Sequence, residues 1–338
     1  MKTKTLLRAA TLTAALSLSA SPLAQEHSLR IQTHWAPETV NGKNAGQFAK
    51  DIEEMSNGRL KVEMFHSAAV VKPVESFSAV QDGILDVEMT GASYQVGKDK
   101  AFQFAGDLLG GYPSPWEQTA WLKVGGGREL LDELYHPYGM HLVCWWWSGP
   151  ETLSSTRPLG GLSDLKDWKF RAPPGLITDV FTELGAKPVV MPFTEVYNAL
   201  NTGIVEGADA AGLATNKDLG LYDVAKHAAY PNFVHSMPAD HVAINKAKWD
   251  ALPPDLQTVM TAACDKLTVN SALQNFVRNY EVVGPLEAEG VTLYRWSDED
   301  LKKYRAVVTK HWDIYAETPM AKKLVASHKA FMKKLGLL

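Results

Sequence analysis

The 338-residue sequence has little of what defines metal-binding, disulfide-rich or nucleic-acid-binding proteins. It has only two cysteines, Cys144 and Cys264, which excludes a framework of several disulfides and a CxxC metal motif. Both lie in apolar segments, and we expect two buried thiols, with a single bridge between them as the alternative. The net charge of −4 offers no basic surface for nucleic acid.

Catalytic signatures are absent as well. The sequence contains no GxSxG nucleophile elbow, no HExxH zinc motif, no GxxxxGK(S/T) phosphate loop and no GxGxxG that opens a helix. The nearest histidines, His227, His235 and His241, lack the spacing of metal ligands on one helix face. These absences disfavour an enzyme and favour a binding protein. The alternative to a binding protein is an exported α/β enzyme with Glu151 or Asp209 as general base.

The amino terminus has the order of residues of a secretory signal. Lys2, Lys4 and Arg8 precede an apolar stretch from about Ala9 to Ala20. This stretch is shorter than the roughly 20 residues that span a membrane, and nothing later in the chain resembles such a span. We expect a signal peptide over residues 1–24 and a freely diffusing periplasmic protein.

The rest of the chain exceeds the size at which one hydrophobic core stops growing, so two lobes are expected. Strand and helix patterns alternate in each half, which predicts an α/β fold with a central cleft. Pro253 and Pro254 precede a helical pattern long enough to span both lobes. The predicted boundaries are 25–147 for lobe one, with return segments from the C-terminal half, 148–250 for lobe two, 251–290 for the long connecting helix and 291–338 for a C-terminal helical segment.

Candidate ligand contacts follow the predicted strands, because the carboxyl ends of strands in α/β sheets face ligand clefts. The run WWWSGPE places three indoles at a strand end, where neighbouring side chains point to opposite faces, so we expect one of them to line the cleft. A weaker candidate, Phe233, precedes a returning strand. The candidates from these positions are His34, Trp35, Ser93, Tyr94, Trp145, Trp147 and Phe233.

Arg171 is the strongest candidate for a ligand contact. It ends the strand-like segment WKFR and precedes the turn APPGL. A guanidinium at this position presents a fork of two donors to a carboxylate or sulfonate and keeps its charge at neutral pH. The alternative is a structural ion pair at the end of the strand.

Three segments carry a resemblance to a known family: SDLKDWKFRAPPG (163–175), LGAKPVVMPFTEVYNALNTGIVEGAD (184–209) and NKAKWDALP (245–253). They resemble the DctP-type substrate-binding proteins of TRAP (tripartite ATP-independent periplasmic) transporters, nearer the keto-acid and hydroxy-acid binders than the sialic-acid binders. The resemblance implies a two-lobed periplasmic binding protein that clamps a small organic anion with Arg171. It also implies delivery to the membrane subunits of a transporter, by a monomer or a homodimer.

The resemblance also places two acids, Glu151 and Asp209, in the cleft. Sialic-acid members are expected to have arginine at the first position and keto-acid members a glutamine that helps hold a cation. Asp209 is followed by Ala210, where the family has Asn or Trp. Two carboxylates near an anionic ligand repel it by about 4 kcal/mol per pair at an intermediate dielectric.

Three arrangements would relieve this repulsion. A sodium or calcium ion held by Glu151 and Asp209 could bridge the acids and the ligand. The ligand could instead be a zwitterion whose ammonium meets Glu151 and an indole. Alternatively, one acid faces away from the ligand and pairs with Arg171.

Overall fold

The computed structural model describes residues 27–230 and 238–338. The predicted signal peptide and Phe233 therefore lie outside the described residues. Among the helices of the described ranges, none combines the length and apolar character needed to cross a membrane.

The described chain alternates strands and helices. The strands are β1 (His27–Thr33), β2 (Leu60–His66), β3 (Val87–Gly91), β4 (Met140–Trp147), β5 (Leu153–Ser155), β6 (Lys169–Ala172), β7 (Lys187–Val190), β8 (Gly207–Asp209), β9 (His227–Ala229), β10 (Ala239–Asn245) and β11 (Thr292–Tyr294). The α-helices are α1 (Val40–Met55), α2 (Ser76–Gln81), α3 (Pro115–Val124), α4 (Gly127–Tyr135), α5 (Leu176–Glu183), α6 (Val196–Asn201), α7 (Leu213–Asp218), α8 (Leu221–Val224), α9 (Lys246–Ala251), α10 (Pro254–Glu281), α11 (Val283–Ala288), α12 (Asp298–Tyr315) and α13 (Pro319–Lys334).

The first sheet has the strand order β2-β1-β3-β10-β4. β1 pairs in parallel with β2 and β3, whereas β10 crosses back from the second half of the chain and runs antiparallel to β3 and β4. α1 makes the crossover from β1 to β2 and begins where the Thr39 side chain accepts a 3.0 Å hydrogen bond from the Gly42 amide. The predicted β-α-β unit at the start of lobe one is therefore present.

The second sheet has the order β11-β9-β5-β8-β6-β7. β6 pairs in parallel with β7 and β8, while β5 runs antiparallel to β8 and β9. β5, β9 and β11 have three residues each, too few for an alternating pattern, and the sequence did not predict them. Two mixed sheets confirm the predicted α/β fold.

The predicted long helix is α10, with 28 residues. In the first lobe the Thr268 hydroxyl donates to the carbonyl of Trp145 in β4 at 2.6 Å. Nearly three turns later the Asn279 side chain accepts from the amide of Ala214 in α7 at 2.8 Å. Because one rigid helix is hydrogen-bonded to both halves, it spans the two lobes as predicted.

The two cysteines form a disulfide, so the prediction of buried thiols was wrong. Cys144 lies in β4 and Cys264 in α10, with 5.9 Å between their Cα atoms and 120 residues between them in sequence. Each apolar pattern was compatible with a free thiol, and only the packing of α10 on β4 brings the two sulfurs together. The bridge fastens the long helix to the first lobe.

The helices α3 and α4 follow each other almost directly in sequence. The three glycines at 125–127 separate them. Gly126 has a φ of +85°, which disfavours other residues. A Cβ on Gly127 would lie 2.6 Å from the Trp121 ring, so that position requires glycine for space.

Candidate ligand-binding cleft

A small cavity lies where the carboxyl ends of β1, β3 and β4 meet those of β6 and β8. Its volume is about 50 Å³, far below the roughly 300–1,000 Å³ of pockets that hold drug-sized ligands. The predicted site residues that line it are His34, Trp35, Ser93, Tyr94, Glu151 and Arg171. Residues from both lobes thus surround one cavity with room for only a few heavy atoms.

Arg171 lies in β6 and is 2% exposed. Its Nε donates to the carbonyl of Met191 at 3.0 Å, and its Nη1 donates to the backbone carbonyl of Asp209 at 2.6 Å. Burial raises the pKa of Tyr94 in the other lobe, and the nearby charge of Arg171 opposes that rise. Fixed by two carbonyls, the guanidinium is held in one orientation towards the cavity.

Glu151 and Asp209 form an acidic pair beside this guanidinium. Asp209 is fully buried in β8 and shares a side-chain hydrogen bond with Glu151, which follows β4. Burial raises the pKa of Asp209 to about 7, although Arg171 and the bond to Glu151 oppose that rise. Burial also raises the pKa of Glu151 well above its usual value, as do the charges of Asp209 and Asp107. The pair therefore retains a proton close to neutral pH.

The first lobe contributes a carboxylate that is already bonded. Asp240, at the start of β10, accepts from the indole Nε1 of Trp35 at 2.6 Å. The same oxygen is 3.0 Å from Nε2 of His34. With these two partners Asp240 is fixed, and it aligns the imidazole and indole along one wall of the cavity.

Aromatic contacts close the cleft around the cavity. Phe193, between β7 and α6 of the second lobe, packs edge-on against Trp35 with 4.9 Å between ring centroids. It also lies 5.8 Å from the His34 ring, and its face is 6.0 Å from the guanidinium carbon of Arg171. These contacts hold the two lobes against each other.

The structure does not place Trp145 or Trp147 in this cavity. Trp145 is 1% exposed and stacks on Trp121 at 5.8 Å. Trp147 is also 1% exposed and borders a separate apolar pocket beside α10. Because side chains alternate along β4, Trp145 and Trp147 share one face of the strand, and both belong to the hydrophobic core packed on that face.

Among the lining residues that sequence reasoning missed, three have acidic or aromatic side chains: Asp107, Phe193 and Asp240. Phe193 lies within the segment MPFTEVY, so its position between a strand and a helix was a usable signal. Asp240 opens a strand that returns antiparallel, and its amino end, rather than its carboxyl end, reaches the cleft. Asp107 lies in an irregular segment that gave no pattern.

Two α/β lobes, a helix that spans them and a buried guanidinium in the cavity between them define a two-lobed solute-binding receptor. The chain belongs to the bacterial extracellular solute-binding proteins, family 7, which match residues 31–318. It is a periplasmic-type solute-binding protein of TRAP transporters. Proteins of this kind bind small organic anions and work with membrane subunits. Members of this family are receptors, so the alternative of an enzyme with Glu151 or Asp209 as general base is set aside.

Three similar proteins illustrate the family. A monocarboxylate 2-oxoacid-binding periplasmic protein of Nostoc sp. is 28% identical over 90% of this chain and 84% of its own length. A TRAP periplasmic solute-binding protein of Rhodobacter sphaeroides, solved in an apo open form, is 34% identical with a TM-score of 0.73 and covers 92% of this chain and 99% of its own. A TRAP solute-binding protein of Bordetella bronchiseptica, solved with calcium and picolinate, is 23% identical with a TM-score of 0.85 and covers 92% of this chain and 93% of its own.

Proposed function

We propose that this receptor captures a small monocarboxylate of the 2-oxoacid kind, with Arg171 as the clamp for its carboxylate. The observation that carries the proposal is a buried guanidinium, fixed by two backbone carbonyls, in a cavity of about 50 Å³. A carboxylate offers two acceptors to the same fork. The description of the Nostoc relative as a 2-oxoacid-binding protein supports the same ligand class.

A thermal-shift screen tests the ligand class. We expect pyruvate to raise the melting temperature of the mature protein, because a ligand that binds only the folded state stabilises it. The comparison set is lactate, picolinate, ethanesulfonate and alanine, which differ in acid group or carry an ammonium. A rise in melting temperature with ethanesulfonate alone would identify the ligand as a sulfonate rather than a carboxylate. A rise with alanine alone would favour a zwitterionic ligand.

The acidic pair is the proposed site for a cation that accompanies the ligand. Glu151 and Asp209 provide carboxylate oxygens, the donors that sodium and calcium prefer. A cation between them would replace the proton that the pair now retains and would join the pair to the ligand carboxylate. The calcium and picolinate in the Bordetella protein provide a precedent for such a pair of ligands.

The proposed cation makes the affinity rise with pH. The pKa of Asp209 is raised to about 7, so below pH 7 a cation must displace a proton, and above pH 7 it need not. We expect calorimetry with pyruvate and calcium to give up to about a tenfold tighter Kd per pH unit from pH 6 towards 7, levelling by pH 8. An anion bound without a cation would take up a proton instead, and its affinity would fall over the same range.

Asp209→Asn and cation-free buffer provide the controls for this pH dependence. The variant has one titratable group fewer in the pair, so its affinity should vary less between pH 6 and 8. In chelated, sodium-free buffer with a choline salt, pyruvate should bind at least about tenfold more weakly. An unchanged Kd in that buffer would exclude the cation.

Closure of the cleft should depend on Gly175. This residue precedes α5 with a φ of +124°, and a Cβ there would lie 2.0 Å from Oε1 of Gln103 in the other lobe. The same oxygen accepts from the Leu176 amide at 2.8 Å. We expect Gly175→Ala to weaken pyruvate binding about tenfold, roughly 1.4 kcal/mol, because the methyl group opposes the closed contact.

Gly97→Ala controls for an added methyl group in the first lobe, since a Cβ at Gly97 meets no atom within 4 Å. Adding Gln103→Ala to Gly175→Ala should recover part of the affinity, because it removes the clashing side chain. Equal Kd values for Gly175→Ala and Gly97→Ala would contradict a role of this contact in closure.

Export and assembly complete the proposal. Removal of residues 1–24 would be seen as an N-terminus near Gln25 in the intact mass of protein from a periplasmic extract. A monomer and a homodimer are both compatible with the one chain described. Light scattering coupled to size-exclusion chromatography distinguishes them by mass.

A further inference from the structure

A cluster of three potential metal ligands lies on the first lobe, away from the cleft. Asp132 is in α4, His136 follows that helix by one residue, and His141 is the second residue of β4. Asp132 and His136 are four residues apart, so they lie on one face of the helical turn. The reversal of the chain at Gly139, with a φ of +67°, brings His141 back beside them.

The three ligand atoms form a nearly regular triangle. His136 Nε2 is 3.3 Å from His141 Nδ1, and Asp132 Oδ1 is 3.5 Å from the first nitrogen and 3.7 Å from the second. Ligands about 2.0–2.1 Å from a tetrahedral zinc ion are about 3.3–3.4 Å apart. The triangle therefore matches one face of such a coordination shell with only small side-chain adjustments.

One hydrogen bond lies within the cluster, at 3.3 Å between His136 Nε2 and His141 Nδ1, and it does not involve the carboxylate of Asp132. Among the described residues, Asp132 Oδ1 is buried from solvent and has no hydrogen-bond partner, and both imidazole nitrogens lie beyond normal hydrogen-bond distance from it. Trp249 stacks on the His141 ring with 4.6 Å between centroids, which fixes the direction of its Nδ1. A buried carboxylate oxygen aimed at two imidazole nitrogens is a donor set that a metal ion would complete.

We propose that Asp132, His136 and His141 form a zinc-binding site. Two imidazole nitrogens and one carboxylate oxygen suit zinc, whereas calcium and magnesium prefer shells of oxygen. The side chains of His136 and Asp132 are 37% and 30% exposed, so a water can occupy the fourth position. Zinc would fasten the end of α4 to the edge strand β4.

Nearby charges both lower and raise the pKa of His141. Arg128 and Lys246 lie close enough to His141 to disfavour its protonated form, and Asp250 acts in the opposite sense. Burial is the largest effect on His141 and lowers the pKa of its imidazole to about 4. The two cations also disfavour weakly held ions, so only a metal with strong nitrogen affinity should bind.

Titration of untagged, EDTA-stripped mature protein with ZnCl₂ tests the site. We expect one zinc ion per chain by calorimetry, a rise in melting temperature with zinc, and no comparable signal at this site with CaCl₂. Asp132→Asn, His136→Gln and His141→Gln should each raise the Kd for zinc at least about tenfold. His227→Gln is the matched control, because it removes a half-buried histidine of the second lobe that bonds Tyr294 instead.

Three results would overturn the proposal: no stoichiometric binding to the wild-type protein, equal zinc affinity in His136→Gln and wild type, or loss of zinc binding in Glu151→Gln but not in His136→Gln. The last result would place the zinc in the cleft. His136 is the most exposed of the three ligands, so its variant keeps the fold and remains decisive if His141→Gln is destabilised. Pyruvate binding should not change in His136→Gln, because about 20 Å of strand separates His141 from the cleft end of β4.

Discussion

Arg171→Ala is expected to abolish measurable pyruvate binding at micromolar concentrations. Truncating one partner of a buried, hydrogen-bonded charge pair costs about 2–5 kcal/mol of binding free energy, or roughly a 30- to 5,000-fold rise in Kd. The loss should lie at the high end, because Glu151 and Asp209 remain beside the ligand carboxylate without the positive charge of the guanidinium. Isothermal titration calorimetry measures the effect.

Two further variants distinguish a ligand clamp from a structural arginine. Arg171→Lys keeps the charge but loses the planar fork, so it should bind pyruvate with intermediate affinity. Arg157→Ala is the control, because Arg157 lies in the same lobe and also donates to a backbone carbonyl, that of Lys166, at 3.1 Å. Pyruvate affinity in Arg171→Ala equal to that of Arg157→Ala would remove Arg171 from the site.

Loss of the disulfide should cause the largest change in stability. The bridge joins Cys144 to Cys264 across 120 residues. Closing a loop of about 100 residues in the unfolded chain contributes up to about 4.7 kcal/mol, and removing a native disulfide typically costs about 2–5 kcal/mol. We expect the Cys144→Ala/Cys264→Ala double variant to melt about 5–15 °C below the oxidised protein by scanning calorimetry.

The reductant provides the control for this experiment. Dithiothreitol should lower the melting temperature of the wild-type protein towards that of the double variant and leave the double variant unchanged. Thiol titration in denaturant should find no free cysteine before reduction and two after it. Equal melting temperatures for the oxidised protein and the double variant would show that the bridge does not stabilise the fold.

The site could be predicted only in part from the sequence. Arg171 and Tyr94 each follow or end a strand, so a rule about strand ends located them without knowledge of the pairing, whereas Glu151 was implied by the family resemblance. The same rule failed for Trp145 and Trp147, because it specifies where a strand ends but not what covers each face. The pairing of Arg171 with the backbone of Asp209, rather than with its carboxylate, also depends on the register of β6 against β8.

The sequence by itself determined the α/β class, the long helix and the receptor family, because these depend on local periodicity and on contiguous segments such as WKFRAPPG. Tertiary structure decided the features that join distant residues. These are the disulfide between β4 and α10, the close approach of Glu151 to Asp209, and the contact of Phe193 with Trp35 across the cleft. Each arises when segments far apart in the chain pack together, and no pattern within either segment specifies its partner.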